Sequence, residues 1–522
     1  MLKTFLKQVK LFLGNLKKKL ISFFSIIGPG FITGASDDDP GGIGTSSMAG
    51  AKYGLSLSWV LLYQLPFVYF IQEMCARIGV VTKQGLTANL NRFLPKKLVL
   101  CAVFFLLFAN IINIAADISI MASCAKLIWG LNPPFWALTL TSIIVLMEVF
   151  LSYRIYSIVL SAFALVLISY VITAFMLPLD WGEISSAIFI PSFKFERDYL
   201  FYSLGLIGTT ISPYLFFWQS SQEIEQLNEH ERANMPVISK SQLINNMRID
   251  TFLGMLFSQI VTIFVMITCY YTLHKSGITE ITSAFDAAIA LKPLAGNWAG
   301  VLFSLGILGA GFLGIPVLAG SSAYALCELR GYQGSLNNTY RQSPFFYGII
   351  IFSTFIGLVI NFININPLKA LLYSAVINSI AAAPIIICII ILANKIEIMG
   401  EHKNGFASNF FSTITFLIML LSCIVLFLPM NAAYQSEKPV SKIRLLERAR
   451  PMPLIISDRE LLISLPKENL RCPSPMDTVF IFSAEYKAVV IGRNWQKFVL
   501  AEVKRFEDVR PSEKPIAQIA FR

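Results

Sequence analysis

Charged side chains are scarce in this chain of 522 residues: Asp, Glu, Lys and Arg make up 14% of it, where soluble domains carry about 25%. Histidine is scarcer still. The three present, His230, His274 and His402, all fall in expected connections between apolar segments. The side chain whose ordinary pKa lies nearest neutrality is thus missing from every expected span, which argues against histidine-based proton exchange there. The eight cysteines (Cys75, Cys101, Cys124, Cys269, Cys327, Cys388, Cys423 and Cys472) stand singly, and no spacing among them suggests a zinc site or a disulfide framework. Nothing resembles a nucleophile with its base, so the reading is of a non-enzyme without a bound cofactor.

What the chain has in abundance is hydrocarbon, with 55% hydrophobic residues. Apolar stretches of about 20 residues cross a bilayer as helices. About eleven are expected, near 21–50, 54–80, 98–130, 134–152, 155–178, 199–224, 246–273, 296–327, 344–364, 367–393 and 408–430. The fold class is therefore an all-α integral membrane protein whose first partner is the lipid bilayer. A net charge of +11 would suggest nucleic acid in a soluble chain, but its placement points elsewhere. With the amino terminus inside, inward connections hold roughly eighteen Lys and Arg and outward ones about seven. That balance puts the amino terminus inside and, after an odd number of spans, the tail outside. The Lys-rich start before Leu20–Ile27 has the form of a signal peptide, but the Gly-Pro-Gly and acids that follow do not belong to a discarded segment. The expected organisation is a basic amino terminus (1–20), a five-span half (21–178), a second (199–393), an eleventh span (408–430) and an extramembrane extension (431–522).

Residues 36–42, Ser-Asp-Asp-Asp-Pro-Gly-Gly, interrupt the first span. Each Asp at mid-bilayer costs roughly 2.5–3.5 kcal/mol on insertion scales. Pro40 removes a backbone donor and clashes with the preceding turn, and Gly41 and Gly42 loosen the chain further. Backbone broken at this depth is tolerated only where it lines a cavity or binds something. Carboxylates beside free carbonyls are hard oxygen ligands suited to a cation. The sixth span carries a second interruption, Gly208-Thr209-Thr210-Ile211-Ser212-Pro213-Tyr214. Either one alone reads equally as a kinked helix; interruptions at corresponding places in two halves mark a transporter's midplane site.

At these positions the chain resembles the Nramp divalent-metal transporters. Gly28-Pro29-Gly30-Phe31 and Asp39-Pro40-Gly41 are similar to the family's Gly-Pro-Gly and Asp-Pro-Gly-Asn. Cys75-Ala76-Arg77-Ile78-Gly79-Val80-Val81-Thr82 is similar to its Ala-Ala-Arg-Leu-Gly-Val-Val-Thr, and Gly208–Tyr214 aligns with its Gly-Ala-Thr-Val-Met-Pro-His. The resemblance extends over about residues 20–430 by span order. It implies eleven helices in an inverted five-plus-five repeat with helices 1 and 6 discontinuous, and a divalent metal cation as substrate. A bacterial cytoplasmic membrane is the location expected. It also implies a carboxylate ligand from Asp39, a carbonyl from Ser36, and a carbonyl or hydroxyl from Thr209.

Three positions depart from the pattern. Gly42 stands where the family has Asn, Ser212 where it has Met, and Tyr214 where it has His. Gly42 offers no side-chain ligand and Ser212 only oxygen. Loss of the thioether removes the soft ligand that favours later transition metals, and an oxygen site with vacant positions suits an ion that keeps several waters. These changes resemble the magnesium-transporting relatives of the family. The function expected is a secondary transporter of Mg2+ and/or Mn2+ by alternating access, with proton coupling weak or absent.

Other polar residues are read more openly. Asp37 or Asp38 lines the ion's path or holds a hydrated ion, or else both face a water-filled vestibule. Asp117 in the third span is a candidate for proton movement, or a partner of Asn110 or Asn113. Gln219, Gln222 and Glu223 form one polar helical face that continues the inward route or meets headgroups. Asn378 could add a ligand, although a gapless match puts Ala375 at that place. Glu73 with Arg77, and Glu148, are read as structural ion pairs or interfacial anchors. The tail has short β-type stretches at Pro453–Ser457, Leu461–Leu465, Thr478–Phe482 and Lys487–Ile491, which read as a small β-rich module with an unknown partner. Alternative functions are a proton-coupled Mn2+/Fe2+ symporter and, from another class, an ion-coupled amino-acid or organic-solute carrier. The latter fits less well because acids repel a substrate carboxylate. A membrane scaffold has no use for mid-span carboxylates.

Overall fold

Prolines and glycines punctuate the membrane helices. The computed structural model describes residues 28–150, 168–232, 239–281, 283–292, 296–363 and 366–427, together with five strands of the tail. The expected amino terminus (1–20), the start of the first span (21–27), the strand at Pro453–Ser457 and most of the fifth span lie outside the described residues. The first span is two helices, α1 (Pro29–Asp37) and α2 (Pro40–Tyr53), each with proline in its first turn, where a missing N–H costs nothing. There follow α3 (Ser58–Thr82), α4 (Leu86–Phe93), α5 (Lys96–Trp129) and α6 (Pro133–Phe150). After α7 (Ile168–Phe175) and α8 (Trp181–Phe189), the sixth span is again two helices, α9 (Arg197–Thr210) and α10 (Pro213–Arg232). The remaining long helices are α11 (Lys240–Thr272), α12 (Ala299–Arg330), α13 (Pro344–Ile360), α14 (Pro367–Asn394) and α15 (Phe406–Phe427).

Among the described residues, seven helical segments are long and apolar enough to cross a membrane, joined by shorter apolar helices at 344–360 and 406–421. Between them they fall on every expected span except the fifth. Large apolar side chains on their outer faces stay exposed, including Phe104 and Phe108 of α5 and Phe352 and Phe355 of α13; in a bilayer these meet lipid rather than water. Inside, α11 packs along α1, α2 and α3, α5 packs along α12, α13 and α14, and α9 lies against α14. Both broken spans are thereby enclosed by unbroken helices.

A buried ion pair ties three distant segments together. Arg77 Nε lies 2.9 Å from Glu73 Oε1 and Arg248 Nε of α11 lies 2.8 Å from the same oxygen. Arg77 also donates to Asn404 Oδ1 at 2.7 Å and to the carbonyl of His402. The structural reading of Glu73 and Arg77 matches this geometry. Arg77 is 1% exposed at its side chain and Arg248 is 48% exposed, so the two partners differ in worth. Breaking a buried pair costs about 3–5 kcal/mol, an exposed one about 0–1 kcal/mol. Arg77→Met is therefore expected to lower the thermal unfolding temperature of the detergent-solubilised protein far more than Arg248→Met, and equal shifts would contradict the assignment. Glu148 is different: it is buried, and neither carboxylate oxygen has a hydrogen-bond partner among the described residues, so the expected ion pair is not formed there.

The chain divides into two compact units, 1–428 and 429–522. The second contains β1 (Leu462–Ile463), β2 (Thr478–Phe482), β3 (Lys487–Ile491), β4 (Phe498–Glu502) and β5 (Ala517–Gln518). Strands β2, β3 and β4 form an antiparallel sheet in that order, with Phe480 opposite Val489 and Val489 opposite Leu500, while β1 pairs with β5. Three of the expected strands fall at β1, β2 and β3; β4 and β5 were not anticipated.

Candidate metal site at the two helix breaks

The first break is built by its own sequence. Helix α1 ends where Asp38 leaves helical geometry at ψ 45°, and Asp39 is extended, at φ −68° and ψ 171°. Asp39 then caps α2: its Oδ1 accepts from the Gly42 amide at 2.8 Å, satisfying a donor that the helix start leaves free. The other oxygen, Oδ2, accepts from Asn113 Nδ2 of α5 at 3.4 Å and from the Tyr214 hydroxyl of α10 at 3.3 Å. The same hydroxyl lies 3.3 Å from the Ser36 carbonyl. A phenol has one proton, so it cannot donate to both acceptors at once. Tyr214 thus stands between a carboxylate and a freed carbonyl, both rich in negative charge.

The second break is organised by Ser212. Its hydroxyl is 2.7 Å from both the Gly208 and the Thr209 carbonyls, groups left over where α9 ends at Thr210. Asn378 Nδ2 of α14 reaches Ser212 Oγ at 3.4 Å, and Asn378 Oδ1 is buried without a partner. Ala375 instead presents its carbonyl to Gly208, 2.0 Å from where a Cβ would sit. Asn378, not Ala375, therefore faces the break. The Thr209 hydroxyl donates to Leu206 O at 3.0 Å, which leaves the Thr209 carbonyl as the group turned toward Ser212. Gly42 contributes its backbone N–H, and a Cβ there would meet the Asp37 carbonyl at 3.0 Å.

The remaining candidates divide into two groups. Asp117 is fully buried one turn beyond Asn113 on α5; it feels the charge of Asp39 and faces the Gly41 amide, and neither of its oxygens makes a hydrogen bond of normal geometry among the described residues. The expected partnership with Asn110 or Asn113 is not found, since Asn110 donates to Leu318 O, Ser321 and Ser322 and Asn113 goes to Asp39. On α10, Gln219 Nε2 donates to Glu223 Oε1 at 2.8 Å and Gln222 donates to the Tyr324 hydroxyl at 3.2 Å. All three side chains are buried, so this face packs inside the protein rather than against headgroups.

Reading the sequence placed a span at 246–273 but missed the polar face of α11. Asp250, Gly254, Ser258 and Thr262 recur every four residues and so share one face, and that face holds α1 along its length. Asp250 accepts from the Gly28 and Gly30 amides at 2.9 and 2.7 Å, capping α1 with a carboxylate at its positive end. Gly254 meets Gly30 and Gly34 so closely that a Cβ on it would lie 2.2 Å from the Gly30 carbonyl. Ser258 donates to Asp37 at 2.8 Å, and Thr262 to Asp38 at 3.1 Å. The signal was a four-residue repeat of small and polar residues in an otherwise apolar span.

No group of three or more His, Cys, Asp or Glu among the described residues converges to hold a metal. The breaks offer instead one carboxylate, Asp39, with carbonyl, hydroxyl and amide oxygens around it. Such a set is hard in character and incomplete.

The membrane part of the chain has clear relatives. Residues 30–429 match the family described as natural resistance-associated macrophage protein-like. The divalent metal cation transporter MntH of Caldanaerobacter subterraneus subsp. tengcongensis is 24% identical over 437 residues, covering 81% of this chain and 97% of that protein. MntH of Chromohalobacter salexigens is 25% identical over 423 residues, covering 79% and 93%. Among solved structures, the Eremococcus coleocola manganese transporter in complex with an aromatic bis-isothiourea substituted compound superposes with a TM-score of 0.66 at 15% identity, over 81% of this chain and 91% of that one. Mhp1, a nucleobase-cation-symport-1 family transporter, is similar in fold, with a TM-score of 0.51 at 13% identity over 77% and 91%. The fold is thus shared with a nucleobase-cation-symport-1 family transporter as well, and the sequence match decides the family: this multi-pass membrane protein belongs to the Nramp family of metal-ion transporters, which are not enzymes.

Proposed function

We propose that the protein carries divalent cations, Mg2+ and/or Mn2+, by alternating access, with the ion held at the two helix breaks. Asp39 supplies the charge, the Ser36 and Thr209 carbonyls supply backbone oxygens, and Ser212 and Asn378 supply neutral side-chain oxygens. Gly42 supplies no side-chain ligand. One observation carries the reading: Tyr214, from the second break, shares its single hydroxyl proton between the Asp39 carboxylate and the Ser36 carbonyl of the first. Two acceptors around one proton are a place for a cation once the phenol turns away. The curated relatives carry divalent metal cations by name, which supports the substrate class. The balance of Lys and Arg supports an interior amino terminus and a tail outside.

The choice of ion follows from Ser212. An oxygen-only site discriminates weakly between Mg2+ and Mn2+ because no soft ligand rewards the later metal. In proteoliposomes, millimolar Mg2+ is expected to compete with Mn2+ uptake, and Ser212→Met is expected to shift preference toward Mn2+ or Cd2+ by about tenfold, the equivalent of about 1.4 kcal/mol. Tight Cd2+ transport by the unmodified protein that ignores excess Mg2+ would contradict this.

Proton coupling is weak or absent in this reading. Tyr214 occupies the histidine position, and a phenol of ordinary pKa near 10 does not exchange protons readily at pH 7. Internal pH, followed with a dye in liposomes during an imposed Mg2+ or Mn2+ gradient, is expected to stay constant. A second reading rests on Asp117, whose buried carboxylate feels the charge of Asp39 and makes no hydrogen bond of normal geometry among the described residues. Acidification that tracks metal entering the liposome and vanishes in Asp117→Asn would establish that reading in place of the first.

A further inference from the structure

We propose that Asp37, the last residue of α1, and Asp38, which follows it, form with Ser258 and Thr262 of α11 a second divalent-cation site separate from Asp39. Ser258 Oγ lies 2.8 Å from Asp37 Oδ2 and 3.2 Å from Asp38 Oδ1, and Thr262 Oγ1 lies 3.1 Å from that same Asp38 oxygen. A single hydroxyl oxygen thus touches both carboxylates, which places one oxygen of each beside the same group. Each hydroxyl has one proton, so the two together supply at most two hydrogen bonds to four carboxylate oxygens. Asp37 Oδ1 and Asp38 Oδ2 are left without a partner among the described residues, on side chains each 3% exposed.

Charge makes the deficit larger. None of the ion pairs among the described residues includes Asp37 or Asp38, and the last turn of α1 contains no basic residue. Both acids sit at the carboxyl end of α1, where the helix dipole presents negative charge and a cation is the favoured neighbour. Two buried carboxylates with no protein counter-charge require neutralisation. A divalent cation matches their summed charge, and two carboxylates with two hydroxyls are the hard oxygen donors it prefers, with water completing its shell. Asp39 is not part of this group. Its partners are Gly42, Asn113 and Tyr214, on α2, α5 and α10, and the three consecutive acids do not converge on one point. The inference stands on α1 and α11 alone and does not depend on the ligand set proposed for Asp39.

The test counts bound Mn2+ in the full-length protein purified in detergent, using loss of the free-Mn2+ electron paramagnetic resonance signal. The unmodified protein is expected to bind two Mn2+ per chain. The double variant Ser258→Ala with Thr262→Val, and separately Asp38→Asn, are each expected to lose one of the two, while Asp39→Ala loses the other. Thermal unfolding identifies any variant that fails to fold, and Asp38→Asn, which keeps the side-chain shape, then decides. A count of one Mn2+ in the unmodified protein, unchanged by Asp38→Asn, would overturn the proposal in favour of protons on these acids. So would two Mn2+ retained in every folded α1 or α11 variant. Should Asp39→Ala keep both ions while Asp38→Asn loses one, the Asp39 assignment fails and this site stands.

Discussion

Replacing Asp39 with alanine is expected to reduce divalent-ion uptake in proteoliposomes to the level of protein-free vesicles while leaving the protein folded and inserted. Asp39 has two roles that one substitution confounds. As N-cap of α2 it binds the Gly42 amide, and losing a cap costs about 1 kcal/mol, rarely more than 2. As the one carboxylate facing the second break it supplies the charge that draws an ion out of water. Asparagine separates these roles because it caps helices as well as aspartate does but is neutral. Asp39→Asn should therefore restore stability and leave transport lost. Uptake at the unmodified level from Asp39→Asn would mean that the residue matters only as a cap. Unmodified uptake from Asp39→Ala would remove it from the ion's path altogether.

The second large effect is structural. Gly254→Leu places a Cβ 2.2 Å from the Gly30 carbonyl, with the Gly30 and Phe31 backbone immediately behind it. Overpacking usually costs about 1–3 kcal/mol when side chains can shift; here the obstacle is backbone, which has nowhere to go without separating α1 from α11. That separation would also break the Asp250 cap and the Ser258 and Thr262 contacts to Asp37 and Asp38. Gly254→Leu is expected to abolish accumulation of folded protein, or to lower its unfolding temperature by more than any other single substitution described above. Gly348 on α13 is the control, because a Cβ there meets nothing within 4 Å. Gly348→Ala should be neutral or stabilise by up to about 1 kcal/mol through better helix propensity. Equal behaviour of the two variants, measured by fluorescence-detected unfolding, would show that α1 and α11 do not meet as closely as described. Small residues at such crossings are what membrane helices use in place of a hydrophobic driving force.

The order of the spans and the place of both breaks were legible in the sequence, and the reason is the bilayer. A chain with no water to satisfy its backbone must form helices across hydrocarbon, so apolar length marks them directly. Proline and glycine act locally, and Asp39-Pro40 and Ser212-Pro213 mark the interruptions because the clash and the missing donor involve only the adjacent turn. The departures at Gly42, Ser212 and Tyr214 were legible for the same reason, being single positions within short motifs. Tertiary structure alone decided which residues stand across from them. Asn113, Tyr214 and Asn378 reach the breaks from three different helices, and Asp250, Ser258 and Thr262 meet α1 from more than two hundred residues away. Hydropathy says that a face is buried but not against what, since every helix in a membrane sees an equally apolar alternative in lipid. The separation of Asp37 and Asp38 from Asp39 has the same origin. The single helix break at Asp38 and Asp39 sends two carboxylates toward α11 and the third toward α5 and α10, and no local rule distinguishes three consecutive aspartates.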